Sequence, residues 1–281
     1  STDCNERYVY LDAYQGGMIA VCESARNVVC VGAEPIAITN CLNFGDPYDP
    51  EVYWQFKEAV RGIRDACISL NTPVTGGNVS FHNESQNNAI FPTPVIGMLG
   101  IIDNLDDRIN LEFKQNGDVI YLIGNNREEL GGSEAVKIIT GEILGKAPII
   151  NIEDEISLQK LALDLIHNHI INAAHDIAEG GIAIALAEMA IASQKYGCNV
   201  DLGNSTLGSL FGESQSRIII TLHSDKIQEF QDICSKHNVQ YFNLGNVIED
   251  NFIINNVIKT DISHIINIWD NALEIIFSEN C

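Results

Sequence analysis

The chain has 281 residues, of which 46% are hydrophobic, so it is long enough for one large or two ordinary domains with sizeable cores. Lys and Arg number 16 against 38 Asp and Glu, and the formal net charge of -22 disfavours nucleic acid as a partner. The sequence contains no apolar run of about 18 residues that would span a bilayer, and residues 1–7 lack the features of a secretory signal, which predicts a cytoplasmic protein.

The first half of the sequence alternates apolar helical patterns with short strand patterns. A loop rich in Asn, Gly, Asp and Pro is predicted over residues 40–50, after a short strand. A second loop is expected where a strand beginning at Pro73 ends in two glycines and Asn78. The predicted elements are a helix at 16–32, a strand at 35–39, a helix at 52–70, a strand from 73 and a buried strand at 94–102.

The polar stretch at residues 103–117 is the best candidate for a domain junction. Strands and helices interleave on both sides of it, which predicts two layered α/β domains. The elements predicted in the second half are strands at 118–123, 216–222 and 240–247 and helices at 157–172, 181–193 and 260–278.

The eight cysteines form no C-x-x-C pair, and no His lies at zinc-finger spacing. We expect buried, reduced thiols and no structural zinc site. They are Cys4, Cys22, Cys30, Cys41, Cys67, Cys198, Cys234 and Cys281.

Two segments at predicted strand ends carry the residue types that bind ligands. In residues 40–45, Asn side chains can turn the backbone or offer a carbonyl to a metal. In residues 75–80, two glycines allow a phosphate to approach the backbone, Asn78 can give a neutral oxygen to Mg²⁺, and Ser80 can bond an anionic oxygen. The alternative is an ordinary Asx turn in the first segment and a plain glycine turn in the second.

Two polar segments lie in the second half. In residues 175–181, Asp176 or Glu179 is predicted to cap the following helix, and His175 next to Asp176 is not by itself a catalytic dyad. Residues 212–217 are a polar cluster before a strand, either an ordinary turn or part of a site. Ser133 is a candidate helix cap.

Taken together and in order, these segments resemble phosphoribosylformylglycinamidine synthases, specifically their C-terminal half. The resemblance runs from about residue 10 to residue 217, and more loosely to the end of the chain. It is carried by residues 11–17, 24–27, 42–45, 54–56, 77–80, 92–95, 175–181 and 213–215.

The resemblance implies a two-domain fold like that of aminoimidazole ribonucleotide synthetase, with an N-terminal domain at residues 1–105 and a C-terminal domain at residues 115–281. In this family the N-terminal domains of two tandem halves join their sheets into a barrel. The implied reaction converts formylglycinamide ribonucleotide to the amidine with ATP and ammonia derived from glutamine. Implied partners are the N-terminal half of the enzyme, a glutamine amidotransferase subunit and a small bridging subunit.

The resemblance also implies roles for four residues: Asn40 and Gly77 contact ATP, Asn78 binds Mg²⁺ and Ser80 contacts the substrate. The family's catalytic histidine, its ATP-binding lysine and its acidic Mg²⁺ ligands lie in the N-terminal half, so no catalytic residue is expected here. The family usually has Asp at position 40, and Asn keeps the shape without the charge.

Two other interpretations remain open at this stage. The chain can be a non-catalytic scaffold that binds nucleotide structurally, or another member of the same superfamily, such as aminoimidazole ribonucleotide synthetase or selenophosphate synthetase. The absence of an initiator Met before Ser1 is typical of a fragment. An unpaired sheet in such a fragment predicts a homodimer.

Overall fold

The computed structural model describes residues 1–85 and 88–279, and in this part of the chain strands and helices interleave in both halves, as predicted. Cys281 lies outside the described residues. The elements of the N-terminal half are β1 (Thr2–Asp3), α1 (Glu6–Leu11), α2 (Ala13–Val29), β2 (Glu34–Asn43), α3 (Pro50–Leu70), β3 (Val74–Ser80), β4 (Glu84–Ser85), β5 (Asn88–Ala89) and β6 (Thr93–Ile101).

The C-terminal half begins with a fully buried strand and ends with two short helices. Its elements are β7 (Val119–Gly124), α4 (Glu134–Thr140), α5 (Ile152–His167), β8 (Ala173–Asp176), α6 (Gly181–Ser193), β9 (Tyr196–Val200), α7 (Leu207–Phe211), β10 (Arg217–Leu222), α8 (Ile227–His237), β11 (Tyr241–Glu249), β12 (Asn251–Ile254), β13 (Ile258–Asp261), α9 (Ile262–Asp270) and α10 (Ala272–Glu279).

The N-terminal sheet has the order β1-β6-β2-β3, with β2 parallel to β3 and antiparallel to β6. Helices α2 and α3 cover one face of it. The two helices pack closely because Gly17 and Gly62 have no side chain between them. A Cβ on Gly17 would lie 2.4 Å from the Ala59 carbonyl oxygen, and a Cβ on Gly62 would lie 2.1 Å from the Tyr14 carbonyl oxygen. On the other face Leu99 and Ile101 are exposed, so the sheet is covered on one side only.

The C-terminal sheet is covered on both faces and has the order β13-β12-β9-β11-β7-β10-β8. Successive residues of β7 alternate between two cores: Ile120 and Leu122 pack with α6, whereas Tyr121 and Ile123 pack with α5 and α8. No helix in the described residues combines the length and apolar character needed to cross a membrane.

The main departures from the predicted elements lie in the segments of interest. The predicted loop over residues 40–50 is wrong at its start, because β2 continues through Asn43, paired on both sides by β3 and β6. The two glycines do not end a strand either; they lie in the middle of β3. The single helix predicted over residues 260–278 is β13 followed by α9 and α10.

Among the described cysteines, five are buried free thiols, as predicted, and two are partly exposed. The buried ones are Cys22, Cys30, Cys67, Cys198 and Cys234; the partly exposed ones are Cys4 and Cys41.

Candidate functional site

The four residues predicted to bind ligands lie on two neighbouring parallel strands. The register of β2 and β3 pairs Asn40 with Gly77, Cys41 with Asn78, and Asn43 with Ser80. The two segments that the sequence singled out separately, 35 residues apart or more, therefore lie side by side on neighbouring strands at the edge of the N-terminal sheet.

A bulge sets this register. Ile38 pairs with Val74 but Thr39 pairs with Gly76, so Thr75 is an extra residue in β3. Two side-chain hydrogen bonds hold the irregularity: the hydroxyl of Thr75 donates to the Ile38 carbonyl at 3.0 Å, and that of Thr39 donates to the Gly76 carbonyl at 3.0 Å.

Only glycine fits at position 77, because Asn40 occupies the space that a side chain would need. The φ of Gly77 is 155°, and a Cβ built on it would lie 2.2 Å from Asn40 Oδ1 and 2.4 Å from the Asn40 carbonyl oxygen. Gly76 differs, because a Cβ there would meet no atom within 4 Å. The second glycine thus lets β3 approach the Asn40 side chain, and the first leaves an open surface.

The side chains of the predicted site lie on two faces of the sheet. Asn40 lines a cavity beneath α3 together with the buried Leu42. Because side chains alternate along a strand and register partners share a face, Asn78 and Ser80 lie on the opposite, open face. A ligand that contacts all four residues must therefore reach both faces of the edge strand β3. Ser80 Oγ accepts a hydrogen bond from Asn83 Nδ2 at 3.2 Å.

The polar cluster at residues 212–217 joins the two halves of the chain rather than forming an ordinary turn. The buried Glu213 carboxylate accepts bonds from the amides of Gly180 at 2.8 Å and Glu134 at 2.9 Å, and from the Tyr8 hydroxyl. Gln215 Oε1 accepts from Arg26 Nη2 at 2.7 Å. Because these groups bind one another, we assign the cluster a structural role.

The segment at residues 175–181 places His175 and Asp176 on β8. His175 Nε2 lies 2.8 Å from Glu188 Oε2. Burial lowers the pKa of His175, but the Glu188 hydrogen bond and the Asp176 charge outweigh burial, so that the pKa lies above its usual value. The helix-cap prediction is wrong for Asp176 and Glu179, since the cap of α6 is Gly180, which makes no side-chain cap bond. Ser133 does cap α4, accepting from Val136 N at 3.3 Å.

An acidic cavity of about 380 Å³ between the two halves was not predicted. It is lined by Asp3, Glu23, Asp176 and Glu179 among others. Burial, with the charges of Glu179 and Asp176, raises the pKa of Asp3 to about 7, and burial raises the pKa values of Glu23 and Asp176. These residues are far apart in the sequence and form no local motif. Within the described residues, no group of three or more His, Cys, Asp or Glu side chains is arranged to hold a metal ion.

Both halves of the chain match known family models. The family model of AIR synthase related protein, N-terminal domain, matches residues 1–102, and the model of its C-terminal domain matches residues 115–255. Phosphoribosylformylglycinamidine synthase subunit PurL of Symbiobacterium thermophilum is 50% identical over 255 residues. The match covers 89% of this chain but 33% of that protein, so the chain spans about a third of the length of this curated relative.

Solved structures show the same fold. Thermotoga maritima PurL complexed with FGAR superposes with a TM-score of 0.76 at 20% identity, covering 94% of this chain and 45% of that one. The same protein complexed with ATP gives 0.71 at 19%, covering 94% and 43%. A chain of a HypE–HypF complex gives 0.65 at 15%, covering 87% and 83%. With both domain models matched and the two-domain α/β fold in place, the chain belongs to the AIR synthase related protein family.

Proposed function

We propose that the chain is the C-terminal part of a phosphoribosylformylglycinamidine synthase and forms one wall of its active site. The observation that carries the proposal is the 50% identity to a PurL protein over 89% of the chain. The pairing of Asn40 with Gly77 and of Asn43 with Ser80 supports it, because the residues with family roles lie together. The domain limits 1–105 and 115–281 and a cytoplasmic location are part of this proposal.

The proposed reaction converts formylglycinamide ribonucleotide to formylglycinamidine ribonucleotide with ATP and glutamine-derived ammonia. ATP phosphorylates the amide oxygen, and ammonia displaces the phosphate. Phosphoryl transfer depends mainly on positioning and on charge neutralisation. Here Asn40 and Gly77 contact ATP, Ser80 orients the nucleotide substrate, and no residue of this chain transfers the reacting proton.

Asn78 fits Mg²⁺ as one neutral ligand. Its side chain is exposed on the edge strand and makes no hydrogen bond to another described residue, so its amide oxygen is free to coordinate. Magnesium usually takes one or two carboxylates together with substrate phosphates and waters. The ion would neutralise phosphate charge, and its carboxylate ligands would come from the N-terminal half.

The net charge of the chain supports the proposal that the N-terminal half is needed to bind the phosphate-bearing substrates. A net charge of -22 repels both ATP and a phosphorylated substrate. The N-terminal half would supply the lysine and the catalytic histidine, and its sheet would cover the open face that carries Leu99 and Ile101. An amidotransferase subunit and a small bridging subunit would deliver ammonia.

Reconstitution tests the proposal. The chain is mixed with the N-terminal half, and amidine formation that depends on ATP and ammonia is measured. We expect no turnover by the chain alone and activity from the mixture. Asn78→Ala and Ser80→Ala should each lower kcat/KM by about tenfold or more. The matched controls, Asn251→Ala and Ser235→Ala on exposed positions of β12 and α8, should retain activity.

A second candidate is a scaffold that binds nucleotide without contributing to the reaction. It requires that the mixture be as active with Asn78→Ala and Ser80→Ala as without them. Turnover by the chain alone would contradict the proposal that it is a partial enzyme.

A further inference from the structure

One side chain, Asn83, joins the ends of the two strands that carry the candidate site. Its Nδ2 donates to the Phe44 carbonyl at 3.0 Å, just beyond the end of β2, and to the Ser80 carbonyl at 3.0 Å, at the end of β3. The same nitrogen also donates to Ser80 Oγ at 3.2 Å. Because an amide nitrogen has only two hydrogens, these three acceptors share them.

The backbone around Asn83 is held independently of its side chain. The Asn83 N–H donates to the Phe44 carbonyl at 3.2 Å, and the His82 N–H donates to the Gly45 carbonyl at 2.9 Å. His82 has a φ of 59°, a left-handed conformation that residues other than glycine adopt at a cost in free energy. This turn brings the chain back over the end of β2 and places the Asn83 amide against Ser80.

The Asn83 amide meets the Ser80 hydroxyl as both donor and acceptor. Oγ lies 3.2 Å from Asn83 Nδ2 and can donate its own hydrogen to Asn83 Oδ1 at 3.3 Å. Among the described residues, Asn83 is the one whose side chain bonds this hydroxyl. A hydroxyl that accepts a hydrogen bond becomes a better donor, because the two bonds polarise each other.

The surrounding sequence makes the orientation of neutral donors important. Residues 34–56 and 71–92, which contain β2, β3 and the turns that follow them, include no Lys and no Arg. An anionic substrate oxygen that reaches Ser80 is therefore bound by neutral groups of this chain. Such hydrogen bonds contribute only when the donor is held close to the ideal direction.

We infer that Asn83 is a positioning residue that holds the Ser80 hydroxyl ready to bind an anionic oxygen of the ribonucleotide substrate. The inference rests on the proposed function, because that function gives the substrate contact to Ser80. When the substrate binds, Asn83 Nδ2 keeps donating to Oγ, and the hydroxyl hydrogen turns from Asn83 Oδ1 to the substrate oxygen. Asn83 itself does not touch the substrate.

Steady-state kinetics of the chain assembled with the N-terminal half test the inference. Asn83→Ala should raise KM for formylglycinamide ribonucleotide about tenfold and change KM for ATP less than about twofold. Asn83→Asp keeps the shape but removes the Nδ2 donor, and it should raise the same KM at least as much. The matched control is Asn168→Ala, whose exposed Nδ2 donates to the Asp164 carbonyl at 2.7 Å in the C-terminal half; it should retain both KM values.

A double-mutant cycle separates positioning from a purely structural role. In a Ser80→Ala background, Asn83→Ala should change the substrate KM less than about twofold, because the hydroxyl that it positions is gone. An equal rise of this KM in both backgrounds would mean that Asn83 only holds the turn.

That result overturns the inference and leaves the proposed function standing, as does an unchanged KM in both Asn83 variants. If Ser80→Ala itself leaves kcat/KM unchanged, Ser80 does not bind the substrate. The inference then fails together with that part of the proposed function.

Discussion

Arg26 and Glu155 form an ion pair that joins the two halves of the chain inside the protein. Arg26 Nη1 lies 2.8 Å from Glu155 Oε2, and neither side chain is exposed at all. Glu155 Oε2 also accepts a bond from the Ser216 hydroxyl at 2.6 Å. Since α2 carries the arginine and α5 the glutamate, the pair fixes one half against the other.

Breaking this pair should destabilise the chain strongly. Arg26→Leu leaves the Glu155 and Glu23 carboxylates buried without their cation, so we expect a loss of about 3–5 kcal/mol in the free energy of unfolding. Arg127→Leu is the control, because the side chains of its pair with Asp154 are 39% and 41% exposed, and it should cost at most about 1 kcal/mol. Urea unfolding measures both, and equal losses would contradict the prediction.

Gly77→Ala should damage the nucleotide site more than Gly76→Ala. The new methyl group at position 77 would overlap Asn40 Oδ1 and displace that side chain, whereas at position 76 it meets open space. We expect Gly77→Ala to weaken MgATP binding by about tenfold or more and to lower stability by about 1–3 kcal/mol. Calorimetry and thermal unfolding of the two variants give the comparison. A Gly76→Ala variant with the same losses would refute the role of the Asn40 contact.

Stability should fall as pH rises from about 4 to about 7, partly because of Asp3. Its pKa of about 7 in the folded state lies above the ordinary value of 3.8, so the folded state holds a proton that the unfolded state has released. Asp3→Asn removes this penalty. We expect the variant to be more stable than the parent at pH 8 by about 1–3 kcal/mol, and similar to it at pH 4.

Denaturant unfolding across this pH range measures the Asp3 effect. Asp103→Asn, at an exposed position, serves as the control and should retain the slope of the parent. Parallel curves for Asp3→Asn and the parent would exclude the predicted contribution.

The open face of the N-terminal sheet should make the isolated chain a homodimer. Leu99 and Ile101 are 58% and 50% exposed on it, and a face of this kind needs a cover. Light scattering should give twice the mass of the chain, and Leu99→Lys should give a monomer. A monomeric parent would contradict the prediction, and added N-terminal half should compete with the homodimer.

The sequence predicted which residues lie at the candidate site better than it predicted the secondary structure of their backbone. Apolar residues at helical spacing located α3, and apolar runs located α6 and β7, within a few residues. Amides and turn residues locally favour a loop at residues 40–43, yet pairing to β3 and β6 makes this segment a strand. Tertiary pairing of this kind leaves no local signal.

Long-range contacts explain why the sequence did not predict the structural role of residues 212–217 or the acidic cavity. Glu213 and Gln215 bond to Tyr8 and Arg26, about two hundred residues earlier, so no spacing rule could separate a structural cluster from a ligand site. Asp3, Glu23 and Asp176 likewise meet only after folding. The roles of Asn40, Gly77, Asn78 and Ser80 are implied by the family motifs and stay predictions.

The extra residue at Thr75 has a consequence for how this segment can change during evolution. Because Val74 already pairs with Ile38 and Gly76 with Thr39, loss of the one codon for Thr75 would remove the bulge and leave every later pairing of β3, including Gly77 with Asn40, in register. Loss of one codon between Gly77 and Ser80 would instead shift the later pairing by one position and reverse the facing of the side chains that follow. Homologous sequences should therefore vary in length at position 75 and align without gaps from Gly76 to Ser80.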